Sequence, residues 1–287
     1  MFSNGLALFG KERHIPSPFS SIFTSFPPPD TFQFFLHFFI DKVKKIAYNR
    51  EKTQGQGCVE MEKSITIIGH IENDFKEKFG IPRQSGKAKH TLSRIVFHPP
   101  YCAVEAFQEL DGFSHLWLLF DFSQAKTDGF SPTVRPPRLG GNARVGVFAS
   151  RSPFRPSSIG LSLVKIEKIE RNTNGVSLLV SGADLLDGTP IFDVKPYLPY
   201  ADHAENAVGG YADAHANDCL EVIFPPVLLQ KLPPEKQAGV LECLAEDPRP
   251  SYQDDPLREY GMRYGAYNVR FRVENGVLTV FAVDEIA

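Results

Sequence analysis

Little in this chain of 287 residues points to a metal, a disulfide or a membrane span. Its four cysteines, Cys58, Cys102, Cys219 and Cys243, lie far apart and form no CxxC pair. That spacing suggests neither a zinc site nor a disulfide framework and suits a reducing cytoplasm, so no metal is expected. Long hydrophobic runs are missing too. The stretch FQFFLHFFI, Phe32 to Ile40, is short and contains His37, whereas a membrane-crossing helix needs ~20 mostly apolar residues. Asp41, Lys42, Lys44 and Lys45 follow it, the reverse of the charge order of a secretory signal. No GxGxxG segment follows a strand and opens a helix, so the usual dinucleotide-type cradle is absent. A surplus of positive charge is also lacking, with a formal net charge of −3. A whole-chain sum averages over local patches, however, so charge has to be read segment by segment.

What is present is a mainly β pattern. At 42% hydrophobic residues, this length can bury one good core and a second small one. Residues 1–62 differ in texture from the rest and read as an N-terminal extension, with Met61 as an expected start of translation and an amphipathic or interfacial extension as the competing reading. Residues 63–203 show short β-type runs broken by glycine and proline, which predicts a barrel or sandwich rather than a βαβ repeat. Strands are expected at Ser64 to Ile71, Leu116 to Phe122, Val145 to Ala149, Leu163 to Glu170 and Val176 to Gly182, with a hairpin turn at Asn174-Gly175. The run containing Trp117 suits a strand buried on both faces or a barrel wall. A helix is expected around Val104 to Leu110, after Pro99-Pro100. Residues 204–218 read as a linker, and 219–287 as a small α+β domain with helices at Pro226 to Lys231 and Pro234 to Ala245 and a terminal hairpin at Asn275-Gly276. In that hairpin Tyr267, Val269, Phe271 and Val273 alternate with Asn268, Arg270 and Arg272, which predicts one apolar and one cationic face.

Chemistry concentrates between Gly129 and Ile166, where Arg135, Arg138, Arg144, Arg151, Arg155 and Lys165 occur without a single Asp or Glu. Arginine's planar fork pairs bidentately with phosphate and stacks on bases, so this enrichment points to a polyanion. An ordinary charge run is a solvated loop. Here the cations are interleaved with Pro136, Pro137, Pro153, Pro156, Gly140 and Gly141, which fix backbone shape and permit close approach, as a binding site requires.

The words themselves, PTVRPPRLGGNARVGVFASRSPFRPSSIGLSL from Pro132 to Leu163, resemble the tRNA N6-adenosine methyltransferase family that modifies threonylcarbamoyl-adenosine at nucleotide 37. Supporting blocks are KFGIPRQSG (Lys78 to Gly86), FSHLWLLFDF (Phe113 to Phe122), DLLDGTPIFDVKPYLPYAD (Asp184 to Asp202), DPRPSY (Asp247 to Tyr252) and YNVRF (Tyr267 to Phe271). The resemblance runs from about Ile65 to the C-terminus. It implies a non-Rossmann β-barrel methyltransferase, usually a homodimer, that binds S-adenosylmethionine and acts on a tRNA anticodon loop. The cofactor positions it implies are Pro82, Arg83, Gln84, Ser123, Gln124, Arg151, Leu161, Asp193, Val194, Lys195 and Pro196. The chain departs from the family pattern in carrying Ser123 where relatives have histidine, which leaves only a backbone contact there.

Each position has a bland alternative. Asp193 and Lys195 could hold ribose hydroxyls and a methionine carboxylate, or form a surface ion pair worth ~0–1 kcal/mol. Arg151 could clasp that carboxylate or an RNA phosphate. Arg83 and Gln84 would pass for an ordinary turn without the resemblance. His115, Phe113, Trp117 and Phe120 read as core residues rather than catalysts or stacking platforms. Tyr197, or Tyr200, could stack on a base. Candidate RNA contacts are Arg135, Arg138, Arg144, Arg155, Tyr197, Arg270 and Arg272, with Arg144 or Arg155 as readers of the threonylcarbamoyl carboxylate. No general base stands out. The rival readings are a non-enzymatic RNA-binding or S-adenosylmethionine-sensing barrel and a small-molecule methyltransferase.

Overall fold

A computed structural model describes residues 63–125, 130–139, 143–250, 253 and 255–286. The expectations for residues 1–62, including Met61 as a start, lie outside the described residues. From Ile65 to Ala287 the chain forms one compact unit with two hydrophobic cores.

The first core is the inside of a closed six-stranded barrel. Its strands are β1 (Gly69–Asn73), β2 (Leu92–Phe97), β3 (His115–Asp121), β6 (Ile159–Asn172), β7 (Gly175–Ser181) and β8 (Pro190–Pro196), in the order β1-β2-β7-β6-β3-β8. Every pair is antiparallel, and β1 closes the barrel on β8 through Gly69↔Ile191. Closure leaves no open edge for another chain to extend. The inward residues of β3, Leu116, Leu118 and Phe120, are almost fully buried, each contributing roughly 1.5–3 kcal/mol by leaving water. His115, Trp117, Leu119 and Asp121 alternate outward, so the run containing Trp117 is a barrel wall and not a strand buried on both faces.

Three expected elements differ. The strand expected at Ser64 to Ile71 begins only at Gly69 and runs on to Asn73. The helix expected at Val104 to Leu110 is instead two 3-10 turns, Val104–Phe107 and Leu110–Gly112. Between them Glu109 takes a left-handed φ of 63°, which no continuous α-helix accommodates. The strand expected at Val145 to Ala149 ends after two residues. β5 (Val145–Gly146) pairs with β4 (Thr133–Val134), and a 3-10 turn follows at Val147–Ala149. That turn buries Val147 and leaves Phe148 72% exposed. The β6–β7 hairpin is present, but it closes at Asn172↔Gly175, and positive φ falls on Gly175 and not on Asn174.

After the short helix α1 (Pro199–Asp202) the chain builds a four-stranded sheet, ordered β10-β11-β12-β9, from β9 (Glu221–Ile223), β10 (Tyr260–Tyr264), β11 (Tyr267–Glu274) and β12 (Val277–Glu285). Helices α2 (Pro226–Leu229) and α3 (Pro234–Ala245) accompany it. Asn275 (φ 49°) and Gly276 (φ 78°) form the two-residue turn of the last hairpin, as their tolerance of positive φ predicts. Val240, Cys243 and Leu244 of α3 join Val269, Phe271 and Val273 of β11 in the second core. Phe75 and Ala88, from the segment linking β1 and β2, are buried in that same core, with Phe79 and Ile81 packed against it.

Candidate active site

Where β6, β3 and β8 run side by side, their outward side chains form rungs across the barrel wall. Leu163 pairs with Trp117 and Leu161 with Leu119. Trp117 and Leu119 then pair with Lys195 and Asp193. Directly opposed residues in such rungs lie about 5 Å apart. The rows therefore read Leu163–Trp117–Lys195 and Leu161–Leu119–Asp193, an apolar floor ending in one ammonium and one carboxylate. Leu161 is 52% exposed and Ile159 38%, so this floor is uncovered. One rung further, Lys165 pairs with His115, and Tyr197 bonds its backbone N–H to the His115 carbonyl at 3.0 Å. The Tyr197 ring lies 6.0 Å from Trp117 and 6.3 Å from His115. Trp117 thus belongs to an outer aromatic cluster, pinned by its indole N–H to Asp202 Oδ2 at 3.2 Å, and not to the core. The sequence signal for this was the alternation within HLWLLFD, which places Trp117 opposite in sense to Phe120.

The turn at residues 82–86 flanks the other edge of β6. Leu163 N–H donates to Ser85 Oγ at 3.2 Å and Gly86 N–H to the Gly182 carbonyl at 2.8 Å, while β6 pairs with β7 only from Lys165 onward. Gln84 is exposed, and its Oε1 accepts from Arg151 Nη1 at 2.7 Å. Ser123 and Gln124 follow the end of β3, where Lys78 Nζ donates to the Gln124 carbonyl at 2.9 Å. The structure thus groups Gln84 with Arg151 beside β6, ties Gln124 to the segment leading into that turn, and lays Leu161 in line with Asp193. Pro82 is buried and Val194 packs on the barrel core, so these two shape the backbone. Pro196 pairs with Leu116 at the end of β8.

Three predicted residues are engaged differently. Asp193 and Lys195 pair with each other at 2.6 Å, with side chains 43% and 61% exposed. An ion pair this exposed is worth only ~0–1 kcal/mol, so a ligand can separate it at little cost. The Arg83 guanidinium turns away from Gln84 and donates to the carbonyls of Asp247 and Arg249 at 3.1 and 2.8 Å. Sequence reasoning missed Asp184, which accepts from the buried Ser162 hydroxyl. Burial pushes its carboxyl above the ordinary aspartate value, against the opposing pull of Ser162, its own N–H, the Arg151 charge and the Ser85 N–H.

Among the candidate RNA contacts, Arg135 and Arg144 are exposed, and Arg144 Nε donates to Thr133 Oγ1 at 3.1 Å. Arg155 is half-buried and holds its own loop, with Nη1 on the carbonyls of Ser150 (2.7 Å) and Val147 (3.1 Å) and its guanidinium 5.6 Å from the Phe148 ring centre. The side chain of Arg138 lies outside the described residues. Arg270 and Arg272 alternate outward on β11 as expected, yet they pair with Asp284 and Glu259 at 3.1 and 2.5 Å and both lie over Phe281. Their face is largely neutralised and not simply cationic. No group of three or more His, Cys, Asp or Glu suited to a metal occurs among the described residues, and none of their helices is long and apolar enough to cross a membrane.

Comparison with known proteins returns a two-part match. The family described as tRNA-methyltransferase O N-terminal domain matches residues 70–203, and that described as TrmO C-terminal domain matches residues 217–286. A tRNA (adenine(37)-N6)-methyltransferase of Escherichia coli is 41% identical over 225 residues, covering 76% of this chain and 96% of the relative. One from Eikenella corrodens is 48% identical over 172 residues, covering 60% and 97%. A solved TrmO structure from Pseudomonas aeruginosa superposes with a TM-score of 0.62 at 34% identity, covering 78% of this chain and all of the other.

Proposed function

Because this chain belongs to the tRNA-methyltransferase O family and is an S-adenosylmethionine-dependent methyltransferase, we propose that it methylates N6 of the adenosine at position 37 of tRNA. We further propose that the substrate nucleoside already carries the threonylcarbamoyl group, so that the product is its N6-methyl derivative. The observation that carries this reading is the barrel-wall floor, with Leu161 and Leu119 ending at Asp193, Trp117 at Lys195, and the Gln84–Arg151 pair alongside.

Those groups fit the cofactor's chemistry. Asp193 suits ribose hydroxyls, Lys195 and Arg151 suit a carboxylate, and an uncovered leucine floor suits the flat apolar face of adenine. When bound, S-adenosylmethionine would supply a methyl group already activated by its sulfonium. The chain's own work is then positional. Adenine N6 is a weak nucleophile because its lone pair is delocalised, and orientation in a water-poor site can lower such a barrier by several kcal/mol, on the order of 7–11 at most. Trp117 and Tyr197 offer aromatic surface beside Lys195 on which a displaced base would stack. Exposed Arg135 and Arg144, in a stretch without acidic residues, would attract the anticodon-loop backbone. Of the two arginines considered as readers of the threonylcarbamoyl carboxylate, Arg144 retains the role, since Arg155 is committed to its own loop. The exposed Ile159, Leu161, Phe148 and Phe154 suit an apolar contact with a second copy, in keeping with a homodimer, and a tRNA substrate is in keeping with a cytoplasmic reaction.

The test is a transfer assay with labelled S-adenosylmethionine and two matched tRNA preparations, one bearing threonylcarbamoyl-adenosine and one lacking it, followed by nucleoside mass analysis. Label on N6 of that nucleoside in the first preparation alone supports the proposal. Label in neither, despite salt-dependent tRNA binding, would establish the RNA-binding or cofactor-sensing module instead.

A further inference from the structure

The segment that carries the cofactor turn is gripped by the C-terminal sheet and not by the barrel alone. Phe79 packs against the Tyr260–Phe271 pair, with its ring centre 6.4 Å from each and the two of them 5.5 Å apart. Gly80, at φ +91°, lies so close to Met262 that an added Cβ would fall 2.5 Å from Met262 Cγ. Glu77 accepts the Arg263 N–H at 3.1 Å, and the Asp74 carbonyl accepts the Gly265 N–H at 2.8 Å. The last grip is Arg83, whose guanidinium reaches the carbonyls of Asp247 and Arg249.

Those two carbonyls converge for a reason. Asp247 follows the C-terminal end of α3, has φ +49° and bonds its N–H to the Leu244 carbonyl, the left-handed stop that ends many helices. Its carboxylate then takes the Arg249 guanidinium in a two-point fork, Nε to Oδ1 at 2.9 Å and Nη2 to Oδ2 at 3.0 Å, and also accepts the Arg249 N–H at 3.2 Å. Arg249 is 9% exposed. The fork therefore closes the loop and aims both carbonyls at one cation, at the helix end where a positive charge is favoured.

We propose that the Asp247–Arg249 loop of the C-terminal domain is a positioning device for the cofactor turn, acting through Arg83 to hold Gln84 against Arg151. Neither Asp247 nor Arg249 touches the cofactor in this scheme. They fix the residue before the one that does. The inference rests on the assignment of Gln84 and Arg151 to the cofactor site, and it gives DPRPSY, a block otherwise without a role, a part in S-adenosylmethionine binding.

The experiment measures S-adenosylmethionine affinity by calorimetry on the full chain, together with steady-state KM and kcat, for Arg249→Lys, Asp247→Asn and Gln84→Ala. Lysine keeps the charge at residue 249 but loses the fork. Asparagine tolerates the positive φ at residue 247 but loses the negative charge. Both variants are expected to weaken cofactor binding and raise its KM about tenfold, within the range of inter-site couplings, with kcat at saturating cofactor retained. A merely structural role would lower kcat and the amount of folded protein without moving KM. Weakened binding in Gln84→Ala with unchanged binding in both loop variants would overturn the device and leave the site intact. Unchanged binding in all three would overturn the site assignment, and the device with it.

Discussion

The substitution Gly160→Ala tests whether the barrel wall beneath the site is as tightly set as its packing implies. Gly160 pairs with Phe120 across β6 and β3, and a Cβ placed on it would lie 2.2, 2.4 and 2.7 Å from three carbons of the Phe120 ring. That ring has little room to move, being 3% exposed and edge-on to Phe122 at 5.0 Å. Either the ring leaves its rotamer or β6 shifts outward, and overpacking of this kind costs about 1–3 kcal/mol. In a chain of this size each kcal/mol lowers Tm by roughly 2–4 °C, so a fall of about 5 °C is expected. Urea titrations of Gly160→Ala, Phe120→Leu and the double variant separate the clash from any intrinsic effect of alanine. Shortening Phe120 costs stability alone but opens space for the new methyl, so the double variant should lie about 1 kcal/mol above the sum of the singles. Because Leu161 is the next residue, the single variant should also raise the KM for S-adenosylmethionine while sparing tRNA affinity. A loss below ~0.5 kcal/mol, the size of an ordinary surface change, or strict additivity in the cycle, would refute the packing argument.

Four further outcomes follow from the same geometry. Lys195→Met should leave Tm nearly unchanged, since its exposed pair with Asp193 contributes only ~0–1 kcal/mol, yet should raise the KM for S-adenosylmethionine; an unchanged KM would remove Lys195 from the site. Arg155→Ala should destabilise the chain by roughly 1–3 kcal/mol, because the Ser150 carbonyl loses its Arg155 donor, the Val147 carbonyl loses one of several, and the loop loses its tie. Arg144→Ala should be neutral in Tm but should lower the salt dependence of tRNA binding by about one ion, as for a single phosphate contact; thermal melts and binding at several salt concentrations distinguish the two. Asp184 has its folded-state carboxyl raised by burial, so the folded chain holds that proton more tightly than the unfolded chain does. The stability this contributes is present below the ordinary aspartate range and is lost as pH rises through the raised value. Asp184→Asn should therefore gain Tm over the parent near neutrality, and the gap should shrink as the pH is lowered. A gap independent of pH would mean that the carboxyl is not perturbed.

Features governed by local rules could be read directly from the chain. Asn275-Gly276 closes its hairpin because both residues readily take the positive φ that a two-residue turn requires. α3 begins and ends where Pro234 and Ala245 were expected to bound it. The alternation of Val269, Phe271 and Val273 with Arg270 and Arg272 survives intact. Where the sequence was silent, the deciding partner lay far along the chain or the pattern itself was ambiguous. HLWLLFD carries His115 and Asp121 on the same face as Trp117, so its alternation marks that face as the outer one, but only the paired strands bring Trp117 beside Lys195 and Tyr197. Arginines 144 and 155 look alike in a stretch without acidic residues, and it is the 3-10 turn at Val147–Ala149 that turns carbonyls onto one and leaves the other in solvent. Arg83 is the sharpest case. Beside Pro82 and Gln84 it reads as a cofactor contact, but its partners are 164 and 166 positions away. A motif preserves which side chains a turn must offer and says nothing of how they divide the labour. Here the division has a physical cause: two carbonyls at a helix end, fixed by a neighbouring carboxylate–guanidinium fork, are a better resting place for one cation than open solvent, which leaves Gln84 to meet Arg151.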